Sequence, residues 1–161
     1  MSVKLVSITL PVVGGLTTAE ELISYCARVS NPSNQMNMDS SPKLLSYLIK
    51  HKHWSPFEMV DMTVSIVTRR SIAAQILRHR SFSFQEFSQR YSTATDIQQI
   101  ELRKQGKTNR QSSEEIILDS TLSKMVDNHL EKSKELYQYL MDEGVSRETA
   151  RDVLPLATET T

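Results

Sequence analysis

Between Val60 and Leu77 the spacing of the apolar side chains changes, and that change does most to limit the fold. Val60, Met62, Val64 and Ile66 alternate with Asp61, Thr63 and Ser65, the pattern of a strand with one buried face. From Ser71 to Leu77 the spacing turns helical, with Ile72, Ile76 and Leu77 apolar and Gln75 polar among them. A strand that feeds a helix points to an α+β class. The flanks agree. Val3 to Leu10 alternates weakly and then meets Pro11 and Gly14-Gly15, which reads as a first strand and a turn. Thr17 and Thr18 each precede a glutamate by three positions, Glu20 and Glu21, so either pair suits a capping box for a helix through about Val29. Asn31 to Ser40 is a loop, and Ser41-Pro42 is a cap with proline at the first helical position. Leu44, Leu45, Leu48 and Ile49 form the apolar face that follows.

Asp96 to Gln111 is polar, contains Gly106, and is expected to be a connection. Ser112 and Ser113 with Glu114 and Glu115 then open the longest helix. Its stripe is Leu118, Leu122, Met125, His129, Leu136 and Leu140, and Gly144 is its terminator. Ser146 caps a short helix carrying Arg147 and Arg151, which yields at Leu154-Pro155. The expectation is one α+β domain over residues 1–161, an antiparallel or mixed sheet flanked by helices, one of them long.

Composition narrows the function. Lysine plus arginine number 19 and aspartate plus glutamate 19, so a broad electrostatic footprint on nucleic acid is not expected. The single cysteine, Cys26, excludes an intrachain disulfide and any CxxC motif, and its helical setting suits a packed thiol. No apolar run approaches the roughly 18 residues of a membrane span, so a cytoplasmic protein without membrane contact is expected.

Against that neutral balance, Arg78-His79-Arg80-Ser81-Phe82-Ser83-Phe84-Gln85-Glu86-Phe87-Ser88-Gln89-Arg90-Tyr91-Ser92 gathers cations, a carboxylate and hydroxyls. The guanidinium fork matches phosphate oxygens two at a time, so the run suits a nucleotide-like ligand. Ser88, His79 and Glu86 lie close together, yet no Gly-x-Ser-x-Gly elbow accompanies them. His51-Lys52-His53 has no further ligand at a zinc spacing, and neither dinucleotide nor P-loop glycine fingerprint occurs, so no metal is expected. What remains is a phosphate and base site made of side chains. A non-catalytic nucleotide or single-strand binding module is the alternative, with Phe82, Phe84, Phe87 and Tyr91 as stacking platforms.

Arg78-His79-Arg80, seven residues and then Ser88-Gln89-Arg90-Tyr91-Ser92 resembles the signature of flavin-dependent thymidylate synthases. His51-Lys52-His53-Trp54-Ser55-Pro56-Phe57-Glu58 resembles that family's histidine and Pro-Phe-Glu block. Gly144 to Leu156 is similar to its segment carrying a nucleotide-binding arginine, and Ala27-Arg28-Val29-Ser30 to an early element. The resemblance implies conversion of dUMP to dTMP, with methylenetetrahydrofolate as carbon donor, bound FAD as hydride source and NADPH as reductant. It also implies a homotetramer whose active sites are shared between subunits. By position it assigns Gln75, Arg78, Glu86, Ser88, Arg90 and Arg151 to dUMP, and His53, Ser55, Glu58, His79, Arg80 and Ser81 to the flavin. His53 and Tyr91 would position the reactants, with no residue in covalent chemistry. Gln85 stands where an asparagine is common, and Phe82 and Phe84 are bulkier than usual. Members usually continue beyond the block that ends at Leu156, so the chain is expected to be a portion of such an enzyme.

Overall fold

The computed structural model describes residues 1–93 and 96–161. The protein is α+β, with antiparallel pairing and one long helix, and it groups into two compact units. One unit runs from Val3 to Ser65, and the other comprises Ile66 to Thr161 with Met1 and Ser2.

The first unit holds β1 (Ser2–Ile8, all but its first residue), α1 (Ala19–Ala27), α2 (Ser41–Lys50) and a 3-10 turn at Ser55–Met59. Thr18 caps α1 through a capping box with Glu21, as one of the two spacings predicts. Its core is small: Leu16, Ala19, Ile23 and Leu48 are buried with Ser24 and Arg28. The cap of α2 falls one residue earlier than expected. Ser40 is the N-cap, Ser41 and Pro42 open the helix, and no side chain caps it, because the Ser40 hydroxyl accepts from Arg28 instead. At the far end, Lys52 takes φ 58°, and the Lys52 and His53 N–H groups bond back to the Ile49 and Leu48 carbonyls. That is a Schellman closure with lysine in the left-handed position where glycine is favoured.

β2 (Met62–Arg69) and α3 (Arg70–Ile76) are the strand and helix of the central pattern. The expected buried face of β2 is only partly buried. Met62 and Val64 are exposed and Ile66 half-buried, and the face closes at Thr68, where β2 pairs antiparallel with β5 (Glu159–Thr160). That strand has too few residues to show a pattern in sequence.

Between them the expected connection is wrong in part. Arg103–Gln105 and Ser113–Ile116 form an antiparallel hairpin, β3 and β4, closed at Gly106 by the bond from its N–H to the Ser112 carbonyl. Ser112 to Glu115 therefore does not open the long helix. α4 begins at Ser120, where Asp119 has extended dihedrals and accepts from the Thr121 and Leu122 N–H groups. Its buried face also differs from the expected stripe. Leu130 and Tyr137 are buried, whereas Leu122, Met125 and Leu136 are exposed. Gly144 ends α4 at φ 81°, with its own and the Val145 N–H groups bonded to Met141 and Leu140. α5 (Arg147–Ala150) follows, and Leu130, Tyr137, Ala150, Ala157 and Thr158 make the core of this unit. No helix among the described residues is long and apolar enough to cross a membrane.

Candidate functional site

The cation-rich run leaves α3 at its C-terminus, where the Arg78 and His79 N–H groups still bond to Gln75 and Ile76 carbonyls. A helix C-terminus tolerates cations, since its orphan carbonyls carry partial negative charge. Beyond it the chain is irregular, and Gln75, Arg78, His79, Arg80, Ser81, Ser88 and Arg90 are all exposed. The His79 and Phe82 rings stack at 4.1 Å and 10°, and Phe84 meets Phe82 edge-on at 6.2 Å. Tyr91 is 88 % exposed.

Within that irregular stretch Glu86 is fixed. Its Oε1 accepts from the Thr160 hydroxyl at 3.0 Å and lies 3.6 Å from an Arg70 guanidinium nitrogen, with both ionic side chains about three-quarters buried. The Phe87 N–H donates to the Thr161 carbonyl, so the backbone after Glu86 is tied to the same segment. Gln89 is 5 % exposed, and its amide nitrogen has no partner among the described residues. Arg90 and Arg151 are brought together by one residue: Arg90 lies 3.6 Å from the Glu148 carboxylate, and the Arg151 Nε donates to the Glu148 carbonyl at 3.1 Å. Arg151 is half-buried and Arg147 exposed. Arg70, the first residue of α3, and Thr160, on β5, escape a reading of the motif because both lie outside it in sequence. The doubled arginine at 69–70, one side chain of which must face inward, is the available signal.

In the other unit the Schellman closure of α2 turns the chain so that His53 follows His51 and Tyr47 in one aromatic group. Tyr47 and His51 centroids are 4.2 Å apart, and His53 stands edge-on to Tyr47 at 6.1 Å. Ser55 and Glu58 lie on the 3-10 turn, and both are exposed like His53. Cys26 sits near the end of α1, half-buried. An apolar groove of about 590 Å³ between α4, the hairpin and residues 155–157 contains none of the residues assigned to dUMP or the flavin.

The comparisons with known proteins agree with one another. The family model described as thymidylate synthase complementing protein matches residues 12–161, across both units. The chain is 48 % identical over 165 residues to the probable flavin-dependent thymidylate synthase of Paramecium bursaria Chlorella virus 1, covering 100 % of this chain and 76 % of that protein. It is 48 % identical over 166 residues to the flavin-dependent thymidylate synthase of Synechocystis, covering 99 % of this chain and 76 % of the other. Among solved structures, the UMP/dUMP methylase PolB from Streptomyces cacaoi bound with 5-Br dUMP is similar, with a TM-score of 0.75 at 28 % identity. That match covers 99 % of this chain and 70 % of the other. The chain belongs to the flavin-dependent thymidylate synthase family.

Proposed function

We propose that the protein methylates dUMP reductively to dTMP, with methylenetetrahydrofolate as carbon donor and FAD and NADPH as the source of hydride, in sites shared between the subunits of a homotetramer. The observation that supports this most is the exposed segment from Arg78 to Tyr91, in which cations and hydroxyls are free to meet a ligand while Glu86 is held by Arg70 and Thr160. Pre-set polar groups reduce the cost of ordering the site when the ligand arrives.

Arg78, Arg90 and Arg151 would take the nucleotide phosphate, and Gln75, Glu86 and Ser88 the sugar and base. Arg90 and Arg151 already share Glu148, so a phosphate drawing both inward would replace the exposed Arg90–Glu148 pair with a stronger one. The residues also fit a flavin: the His79–Phe82 stack offers ring faces, and Arg80 and Ser81 offer donors for phosphates. Ser55 and Glu58 would add contacts, and His53 and Tyr91 would position the reacting rings. Bound FAD supplies the reducing hydride, so no cysteine nucleophile is required and Cys26 has a packing role. The domain would extend over the whole of residues 1–161, and the enzyme would work in the cytoplasm.

Tritium release from 5-tritiated dUMP tests the proposal. Release should depend on FAD, NADPH and methylenetetrahydrofolate together, and a folded, FAD-bound protein that released none would overturn it. Because the similar Streptomyces protein is described as a UMP/dUMP methylase, UMP is the competitor to include. The exposure of Phe82, Phe84, Phe87 and Tyr91 favours the second reading, a single-strand binding module. Oligonucleotide binding that weakened steeply with salt, without dUMP binding, would support that module instead.

A further inference from the structure

Glu86 is the one carboxylate between Arg78 and Tyr91, and the last residues of the chain frame it together with Arg70. All three partners belong to one compact unit. The first two N–H groups of α3, on Arg70 and Ser71, donate to the Thr158 and Leu156 carbonyls at 2.9 and 3.1 Å. The root of the Arg70 side chain is thereby fixed to that segment. Thr160 pairs with Thr68 of β2, both are buried, and the Thr160 hydroxyl reaches Glu86. The Phe87 N–H closes the frame on the Thr161 carbonyl at 2.9 Å.

Inside this frame the two charges meet without a hydrogen bond. Arg70 Nη1 lies 3.6 Å from Glu86 Oε1, too far for a good N–H···O bond, and it is buried with no hydrogen-bond partner among the described residues. The other ion pairs among those residues, Arg90–Glu148, Arg103–Glu101 and Lys104–Glu115, are all more exposed, and Lys104–Glu115 closes to 2.8 Å. A shielded pair is screened less than an exposed one, so its attraction persists at the longer distance. A pair without a hydrogen bond also consumes no lone pair. Among the described residues Glu86 accepts from Thr160 alone, on Oε1, which leaves Oε2 an open acceptor.

We propose that Arg70 is a positioning residue: through its charge it holds the Glu86 carboxylate in place, with one oxygen left to accept an N–H or O–H group of the nucleotide. The inference rests on the assignment of Glu86 to dUMP made above. It separates Arg70 from Arg78, because charge alone matters at position 70, whereas a phosphate contact at position 78 uses the planar fork.

Equilibrium binding of dUMP to the FAD-loaded full protein and its variants tests this. Saturable binding to the unsubstituted protein comes first, and its absence would overturn the dUMP reading and this proposal together. The variants then bear on Arg70 alone. Arg70→Gln should weaken dUMP by about tenfold or more with FAD retained, and Arg70→Lys by no more than about threefold, since lysine restores the charge. In a Glu86→Gln background, Arg70→Gln should change binding by less than about twofold, because residues that act through one another are not additive. Removing one of two shielded charges also destabilises the fold, so a second variant avoids that change. Thr160→Val deletes only the hydroxyl that orients Glu86 and should weaken dUMP by about threefold or more. Three results would overturn the role given to Arg70. Arg70→Gln binds dUMP as the unsubstituted protein does. The losses from Arg70→Gln and Glu86→Gln add in full, which would make the two residues independent. Arg70→Gln loses FAD and dUMP together while Thr160→Val binds dUMP unchanged, which would make the pair structural.

Discussion

A carboxylate set among arginines is useful only if it keeps one orientation, and Glu86 does so through Thr160, seventy-four positions away, and Arg70. Among the described residues the Arg78 guanidinium, exposed at the end of α3, has no such anchor, so its geometry matters most when a phosphate is bound. Arg78→Lys should therefore weaken dUMP binding by about tenfold or more while bound FAD is retained, because lysine keeps the charge and loses the planar pair of donors. Equilibrium binding of dUMP and the flavin absorbance, measured on the same sample, separate that outcome from misfolding, which loses both. Cys26→Ala makes the contrast. Tritium release should stay within about threefold, with about 1 kcal/mol of stability lost from packing. Loss of release from a Cys26→Ala variant that keeps its FAD would contradict a spectator thiol. At this scale the motif was legible residue by residue, from Arg78 to Arg90. Arg70, Thr160 and the buried Gln89 were not, since pairing between distant segments leaves no local pattern.

Two helices end in the same closure with different residues, and the comparison gives a stability test. Gly144 adopts φ 81° after α4, and Lys52 adopts φ 58° after α2. A side chain in the left-handed region costs roughly 1–2 kcal/mol, part of which a glycine returns through unfolded-state entropy. Lys52→Gly should thus stabilise the protein by about 0.5–1 kcal/mol, read from the urea midpoint. A lower midpoint would mean that the lysine side chain makes a contact that outweighs the strain. Gly106 tests the opposite case. A Cβ there would stand 2.8 Å from the Asn109 carbonyl oxygen and 2.9 Å from that of Ser112. Gly106→Ala should cost about 1–3 kcal/mol through forced displacement of the hairpin turn. The start of α1 carries a pH dependence. N–H groups of Thr17 and then Thr18, with the Thr17 hydroxyl, hold the Glu21 carboxyl below its ordinary value. A carboxyl lowered in the folded state contributes stability above its unfolded value and loses it as pH falls through the folded one. Glu21→Gln should flatten the acid limb of melting temperature against pH, followed by circular dichroism. Capping chemistry of this kind was legible, as were Gly144 and the central strand and helix. The hairpin was hidden because Ser113-Glu114-Glu115 also suits a helix start, and Asp119 with its extended backbone outcompeted it. The buried side of α4 was hidden for a related reason: both of its sides carry apolar residues, so periodicity alone did not say which one packs inward.

Much apolar surface of the whole molecule remains uncovered in one chain. Every residue of β1 is exposed, including Val3, Leu5, Val6 and Ile8, and Leu118 before α4 is 94 % exposed. Leu122, Met125 and Leu136, the stripe read from sequence as a helix face, stay accessible, and Leu122 and Met125 line an apolar groove. Single exposed apolar residues are ordinary, but a strand and a helix stripe left open together call for a partner surface. The stripe was seen as apolar from the sequence, where it suited either the sheet or a second subunit, and its exposure in one chain fits the second; the proposed homotetramer would cover it. Light scattering on the full protein should give a mass near four times that of one subunit. Met125→Glu places a charge within the stripe, where burial against another subunit would cost several kcal/mol of desolvation. It should lower the assembled mass, and with it tritium release at low protein concentration, while the circular dichroism spectrum of the chain is unchanged. Recovery of release at high concentration would show that assembly limits the reaction. A stable monomer that turned over dUMP at the full rate would rule out sites shared between subunits and require every essential group to come from a single chain.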